Sequence, residues 1–191
     1  MPYAEVWTVQ HERVGQRIRG EVPDALFLVE HHRVITVGRG WKGGGIYGDD
    51  FPVFEVERGG QATYHGPGQL VGYPILLLPE GRRDAHRYLR DLEQILIDAL
   101  LAFGIRGSRQ EGKTGVWVGE KKIASIGVAL RKWVTYHGFA LNVSTDLSHF
   151  KAIDPCGMPA DVMTSMEVVL DRPVLLDDVR TTVTQTFFKN W

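Results

Sequence analysis

Cys156 is the only cysteine of the chain, and it sits in Asp154-Pro155-Cys156-Gly157-Met158-Pro159, a prolyl and glycyl loop rather than an apolar core run. A solitary thiol on a rigid turn is a candidate nucleophile, provided that a nearby cation or base generates the reacting thiolate. Lysine can serve as either. Lys122 opens Lys122-Ile123-Ala124-Ser125-Ile126-Gly127, an alternating stretch that reads as a strand, with Ile123 and Ser125 facing away from Ala124 and Ile126. Partial burial lowers the pKa of an amine and a thiolate neighbour raises it again, so such a pair can share one proton. The chemistry it suits is acyl transfer through a thioester. The plainer alternatives are an inert, packed thiol and a solvated strand-end charge, a part that Lys121 would play equally well.

A second segment, Arg58-Gly59-Gly60-Gln61-Ala62-Thr63-Tyr64-His65-Gly66-Pro67-Gly68-Gln69, packs turn formers and hydrogen-bonding side chains too densely for an ordinary hairpin. Gly59, Gly60, Gly127 and Gly138 lack a Cβ, which lets an acyl chain or its thioester lie against backbone, where amides can hold a developing oxyanion. Ile126, Phe139 and Leu141 offer apolar surface to the tail, at roughly 0.8 kcal/mol for each buried methylene. His65 is suited to orienting a substrate or stabilising charge, and its role is left open.

The elements that must position these residues follow from periodicity. Tyr3, Val6, Trp7, Gln10, Val14 and Ile18 recur at helical spacing before Gly20 and Pro23, so the chain opens with a helix. Ala25 to His31 and Val34 to Val37 read as two strands, joined closely enough to be antiparallel neighbours. Val53 to Val56 and Gln69 to Leu78 read as strands on either side of the glycine-rich segment. The strongest helical signal runs from about Asp84 to Phe103, with Gly104 as terminator. Gly115 to Gly119, Lys122 to Trp133 and Thr135 to Val143 predict a meander, and Asp177 to Trp191 predicts a closing helix.

Two phosphate-binding spellings fail on context. Gly38-Arg39-Gly40-Trp41-Lys42-Gly43 fits a dinucleotide fingerprint, but Gly44 and Gly45 follow it and no helical period appears. Gly107 to Thr114 spells a Walker A loop, yet it follows a helix and leads into the strand-like Val116-Trp117-Val118, the reverse of what phosphate binding requires. Metal binding is unsupported, because no two histidines stand at i and i+4 on a helix and Cys156 has no second thiol.

Composition bounds the rest. A chain of 191 residues with 43% apolar residues predicts a single domain over 1–191 with a sizeable core. Its 22 Lys and Arg nearly balance 23 Asp and Glu, which argues against a nucleic-acid binder. The longest apolar run, Tyr73 to Pro79, is far too short to span a bilayer, so no membrane partner is expected. One cysteine cannot close an internal disulfide, and Met1-Pro2-Tyr3-Ala4-Glu5 lacks the basic and apolar regions of a secretory signal, so the expected location is cytoplasmic.

Taken together, the blocks Arg58-Gly59-Gly60 with Thr63 to Gln69, Gly115 to Val118, Lys122 to Gly127, Gly138 to Val143 and Pro155-Cys156-Gly157 resemble the lipoyl(octanoyl) transferases, in order and over nearly the whole chain. Leu26 to Gly38 looks like that family's early hairpin, whereas the N-terminus lacks a leading strand and His32 stands where a proline is expected. The resemblance implies an α/β fold of the α+β type, a mixed and largely antiparallel sheet with packed helices, as in the biotin and lipoate protein ligases. It implies that Cys156 takes an octanoyl group from acyl carrier protein as a thioester. The group then passes to a lysine ε-amine on a lipoyl domain or on the glycine cleavage H protein. Lys122 is then the proton-handling partner. The substrate-binding residues are Arg58, Gly59, Gly60, Gln61, Ala62, Thr63, Tyr64 and His65, then Ser125, Ile126 and Gly127, then Gly138, Phe139 and Ala140. No cofactor is needed, since a thioester is already activated, and a monomer is expected. The rivals are an ATP-dependent lipoate or biotin protein ligase and a silent relative that only binds acyl chains or carrier protein. An acidic carrier would meet Arg82, Arg83, Arg87 and Arg90 at the start of the long helix, unless these pair with Asp84, Asp91 and Glu93.

Overall fold

A computed structural model describes residues 1–47, 50–154 and 160–191; Cys156 and its immediate loop lie outside the described residues. The first helix, α1 (Tyr3–Ile18), buries Tyr3, Val6, Gln10 and Val14, the stripe that the sequence period predicts. The larger sheet has six strands in the order β1-β5-β9-β8-β7-β6. These are β1 (Ala25–Val29), β5 (Gln69–Ile75), β9 (Val134–Asn142), β8 (Lys121–Arg131), β7 (Lys113–Val118) and β6 (Ser108–Gln110). Every pairing in it is antiparallel.

Alternation along β5 assigns its two faces. Leu70 joins the cluster built by Leu96, Ala99 and Leu100 of α2 (Ala85–Leu101) and Val179 and Val183 of α4 (Leu176–Asn190). Val71 and Tyr73 instead pack with Val6 of α1. Thus α1 covers one face and α2 with α4 the other, which is why β5 is buried along its whole length. The α2 start is fixed by Asp84, whose Oδ1 accepts from the amides of His86 (2.8 Å) and Arg87 (3.1 Å), and Gly104 lies beyond its end at φ +82°.

The expected early hairpin does not form. β1 pairs with β5, whereas β2 (Val34–Val37) is the middle strand of a separate three-stranded sheet, parallel to β3 (Val53–Glu55) and antiparallel to β4 (Ala62–His65). A short connection permits pairing but does not compel it, and Glu30 to Arg33 carry the chain from one sheet to the other. The strand β4 and the short α3 (Met166–Leu170) were not legible from periodicity. The meander β7–β8–β9 is present as predicted. Gly107 to Thr114 forms the β6–β7 hairpin, in which Gln110 pairs with Lys113, so no phosphate loop exists there. No helix among the described residues is long and apolar enough to cross a membrane.

One irregularity of the larger sheet shapes the site. β8 pairs with β7 only from Lys121 to Ala124, but with β9 from Ala124 to Arg131. Further along, the vacated edge is met by a different segment: the Gly59 amide donates to the Val128 carbonyl at 3.0 Å. A slot therefore opens in the sheet beside Ile126 and Gly127.

Candidate active site

Two cavities meet at that slot, sharing Gly59, Gly60, Ile126 and Gly127 as walls. On the α1 side lies a narrow cleft of about 40 Å³. Its walls include Arg58, Thr63 and His65 from the glycine-rich segment and Ser125, Gly138, Phe139 and Ala140 from β8 and β9. On the other side lies a wider groove bounded by Gln61, Leu89, Lys113, Thr114 and Lys122.

Most of the described residues singled out from sequence thus converge, with three exceptions, Ala62, Tyr64 and Leu141. Ala62 and Tyr64 alternate with Thr63 and His65 along β4, so they face away from the cleft. They pack with Ile35, Val37 and Phe150, and Tyr64 Oη bonds His149 Nδ1 at 3.1 Å. Leu141 also lies in the core, not on the cleft wall. Gly59, Gly60, Gly127 and Gly138 all line the cleft. Two of them also let the protein approach itself: a Cβ on Gly138 would stand 2.1 Å from the Gly72 carbonyl oxygen, and one on Gly127 would stand 3.0 Å from Gly59 O.

Lys122 is only 3% exposed, which sets it apart from Lys121, an exposed side chain whose Nζ donates to Asp161 O at 2.6 Å. Its ammonium stands 5.6 Å from the ring centre of Trp117, which is itself fully buried. Its aliphatic arm runs against Gly115, where a Cβ would come within 2.6 Å of Lys122 Cε and where φ is +130°. Gly115 is pinned in turn by Glu93: the amide donates to Glu93 Oε1 at 3.0 Å. Glu93 is wholly buried and is neutralised by Arg90 (2.6 Å) and Arg109 (3.0 Å). The sequence marks Glu93 only as a partner for surface arginines, and nothing in its spacing marks it as support for Lys122.

The segment that returns from the Cys156 loop runs beside this lysine. Met163 bridges Lys122 in parallel, and the Thr164 amide donates to the Lys122 carbonyl at 2.9 Å. On the other side of the loop, the Asp154 amide donates to Gly45 O at 2.8 Å. Of the described residues that flank the Cys156 loop, Asp154 is thus tied to Gly45, and Met163 and Thr164 to Lys122.

The α1 side is a network of buried polar groups. Arg58, 8% exposed, donates through Nη2 to the carbonyl (2.7 Å) and hydroxyl (2.8 Å) of Thr36, and through Nη1 to Gly59 O (3.0 Å). Thr36 Oγ1 faces His65 Nε2 at 3.4 Å, and His65 Nδ1 lies 2.8 Å from Gln69 Oε1. The Gln69 amide nitrogen donates to Asn142 Oδ1, and Asn142 Nδ2 donates to Thr164 O. That order makes His65 Nδ1 a donor and Nε2 an acceptor, so both ring nitrogens are engaged within the protein. Burial, aided by the charges of His31 and Arg58, pushes His65 down to about 3. The imidazole is a neutral structural link, not a base poised for catalysis.

Tyr3, Val71, Tyr73 and His137 also line the cleft and were missed from sequence. His137 is 2% exposed and adopts φ +53°, with its amide donating to Gln10 Oε1 at 2.9 Å and its Nε2 to Glu57 Oε2 at 3.2 Å. Burial outweighs the carboxylate and holds it at about 4. For Glu57 itself burial pushes upward. Bonds from its own amide and from His137 and Trp7, with the charge of His11, outweigh this and leave it below the usual carboxylate value. Among the described residues no three His, Cys, Asp or Glu side chains are grouped to hold a metal ion.

The arginine face of α2 is partly committed. Arg82 pairs with Asp91 (3.2 Å) and lies over Trp191, and Arg90 pairs with Glu93. Arg83 lies over Trp133 and Arg87 is exposed. Asp84 caps the helix instead of pairing with an arginine.

Comparison with known proteins gives the family and the fold. Residues 2–188 match the model of the lipoyl protein ligase A/B catalytic domain. An octanoyltransferase of Syntrophotalea carbinolica is 46% identical over 100% of this chain and 92% of its own length. One of Solibacter usitatus is 50% identical over 97% of this chain and 86% of its own. A lipoate-protein ligase A crystallised with ATP superposes with a TM-score of 0.77 at 18% identity, covering 93% of this chain and 78% of that one, which shows a shared fold. The chain belongs to the lipoyl protein ligase A/B catalytic domain family.

Proposed function

We propose that residues 1–191 form one catalytic unit, an octanoyltransferase of lipoate synthesis. It takes the acyl group from octanoyl-acyl carrier protein and delivers it to a specific lysine of a lipoyl domain or of the glycine cleavage H protein. The observation that carries this reading is the burial of Lys122 in the wall of the wider groove, bridged to Met163, which follows the Cys156 loop in the chain. The kinship with octanoyltransferases agrees with it.

In the first half-reaction the Cys156 thiol gives its proton to the Lys122 amine, and the thiolate attacks the octanoyl carbonyl. The bond from that carbon to the phosphopantetheine sulfur breaks, and the leaving thiolate takes a proton from the Lys122 ammonium. In the second, the ε-amine of the acceptor lysine attacks the Cys156 thioester. The amine loses its proton to Lys122, an amide forms, and the Cys156 thiolate leaves and is reprotonated. The tail occupies the α1-side cleft, where Val71, Tyr73 and Ala140 offer apolar wall. The wider groove on the other side leaves room for the carrier's arm and later for the acceptor lysine.

Intact-mass measurement after mixing with octanoyl-acyl carrier protein, without ATP, tests this. The wild type gains one octanoyl group and Cys156→Ala gains none. If Cys156→Ala modifies a lipoyl domain at the full rate and needs ATP, the chain is a ligase. If the wild type binds the carrier without acquiring an adduct, it is a silent relative.

A further inference from the structure

The α1-side cleft has an inner end as well as a mouth. Its mouth is the slot at Gly127, and the walls it does not share with the groove lead along one row of the sheet. In that row Ser125 of β8 faces Ala140 of β9, which faces Val71 of β5. Two strand spacings separate β8 from β5, about 10 Å. An extended alkyl chain of ~1.5 Å bonds advances about 1.25 Å per carbon, so this span matches roughly eight carbons.

The end of the row is solid. Val71 and Tyr73 are 1% and 3% exposed and are backed by Val6, Phe27 and Val29. Tyr3 closes the corner from α1, stacked on His65 at 6.2 Å between ring centres. Tyr73 is held in place by donating to His31 Nε2 at 2.7 Å, while His31 Nδ1 donates to the Met1 carbonyl at 3.2 Å. We propose that this wall is a length stop: Val71, flanked by Tyr3 and Tyr73, sets the longest acyl tail the enzyme accepts, and Ala140 sets the clearance midway. The inference rests on the acyl-transfer reading above and deepens it by naming the residues that select chain length.

Calorimetric titration with free saturated fatty acids, hexanoate to dodecanoate, tests it without turnover. Wild-type affinity should climb about four-fold per methylene up to eight carbons and then stop climbing. Val71→Ala should move that break to ten carbons, and Ala140→Val should move it down to six. An unbroken climb through dodecanoate in the wild type, or a break at one length in all three proteins, overturns the stop. Should Val71→Ala fail to fold, Ala140→Val decides alone. A wild type that shows the break but forms no thioester adduct refutes the transferase reading and leaves the length stop standing.

Discussion

The two sides of the slot are built on opposite plans. On the α1 side, buried arginine and histidines are locked to one another through Thr36, Gln69 and Asn142, so the wall has little freedom to change its charge or shape. On the α2 side, a buried lysine lies along a glycine and against an indole face, bridged to Met163. The first plan suits holding a substrate still, and the second suits moving a proton. Separation of these tasks across a sheet means that each can be damaged alone.

Lys122→Met tests the α2 side most severely, because it keeps the aliphatic arm while deleting the amine. Thioester formation at Cys156 should slow by about 10²–10⁴-fold in single-turnover mass measurements. A change of less than about three-fold would sink the dyad. The α1 side should respond to acid instead. His31 and His137 are held at about 4 and His65 at about 3, mainly by burial, against an unfolded value of 6.5. Between those values the unfolded chain binds protons that the folded chain refuses, so stability is full above 6.5 and declines as pH falls towards 4. From pH 7 to pH 5 the loss should be about 1–2 kcal/mol for each histidine, read by urea unfolding. A flat stability profile over that range would contradict the neutral, buried cluster.

Glu93 supports the α2 side from behind, which its two substitutions can dissect. Glu93→Ala strands the Gly115 amide and two half-exposed arginines, and about 2–3 kcal/mol of stability should go with it. Glu93→Gln keeps an acceptor for Gly115 and should recover much of the turnover number, since the backbone under Lys122 stays in place. Equal turnover in the two variants would remove Glu93 as a positioning residue. The smallest effect is expected outside both walls. Arg87→Glu should lower kcat/KM for acyl carrier protein by less than about ten-fold at low salt and not at all at high salt, as befits a steering charge.

Legibility followed the length over which a pattern repeats. α1 and α2 each bury one stripe over several turns, so their periods show in the text of the chain, and β8 and β9 run for 11 and 9 residues. β4 was hidden because it is only 4 residues long, too few for the alternation of Thr63 and His65 with Ala62 and Tyr64 to stand out beside glycines. Tyr64 was placed in the site by its neighbours in sequence, and strand alternation sent it to the other side. The early hairpin failed for a different reason. β1 and β2 are adequate strands, but partner choice depends on which sheet edges are available, and Ala25 found Ile75 across fifty residues of chain.

Residue types pointed to acyl-transfer chemistry through a lone thiol, a strand-borne lysine and a glycine-rich segment, because reactivity is a local property of side chains, and the family resemblance named the reaction. Periodicity, which is local too, marked α1, α2 and the meander. Tertiary structure alone decided that Lys122 and not Lys121 is buried, that His65 is a neutral link, and that Tyr3, Val71 and Tyr73 close the cleft. Burial and hydrogen-bond partnership are set by residues distant in the chain, and those meet only when the sheets and helices pack.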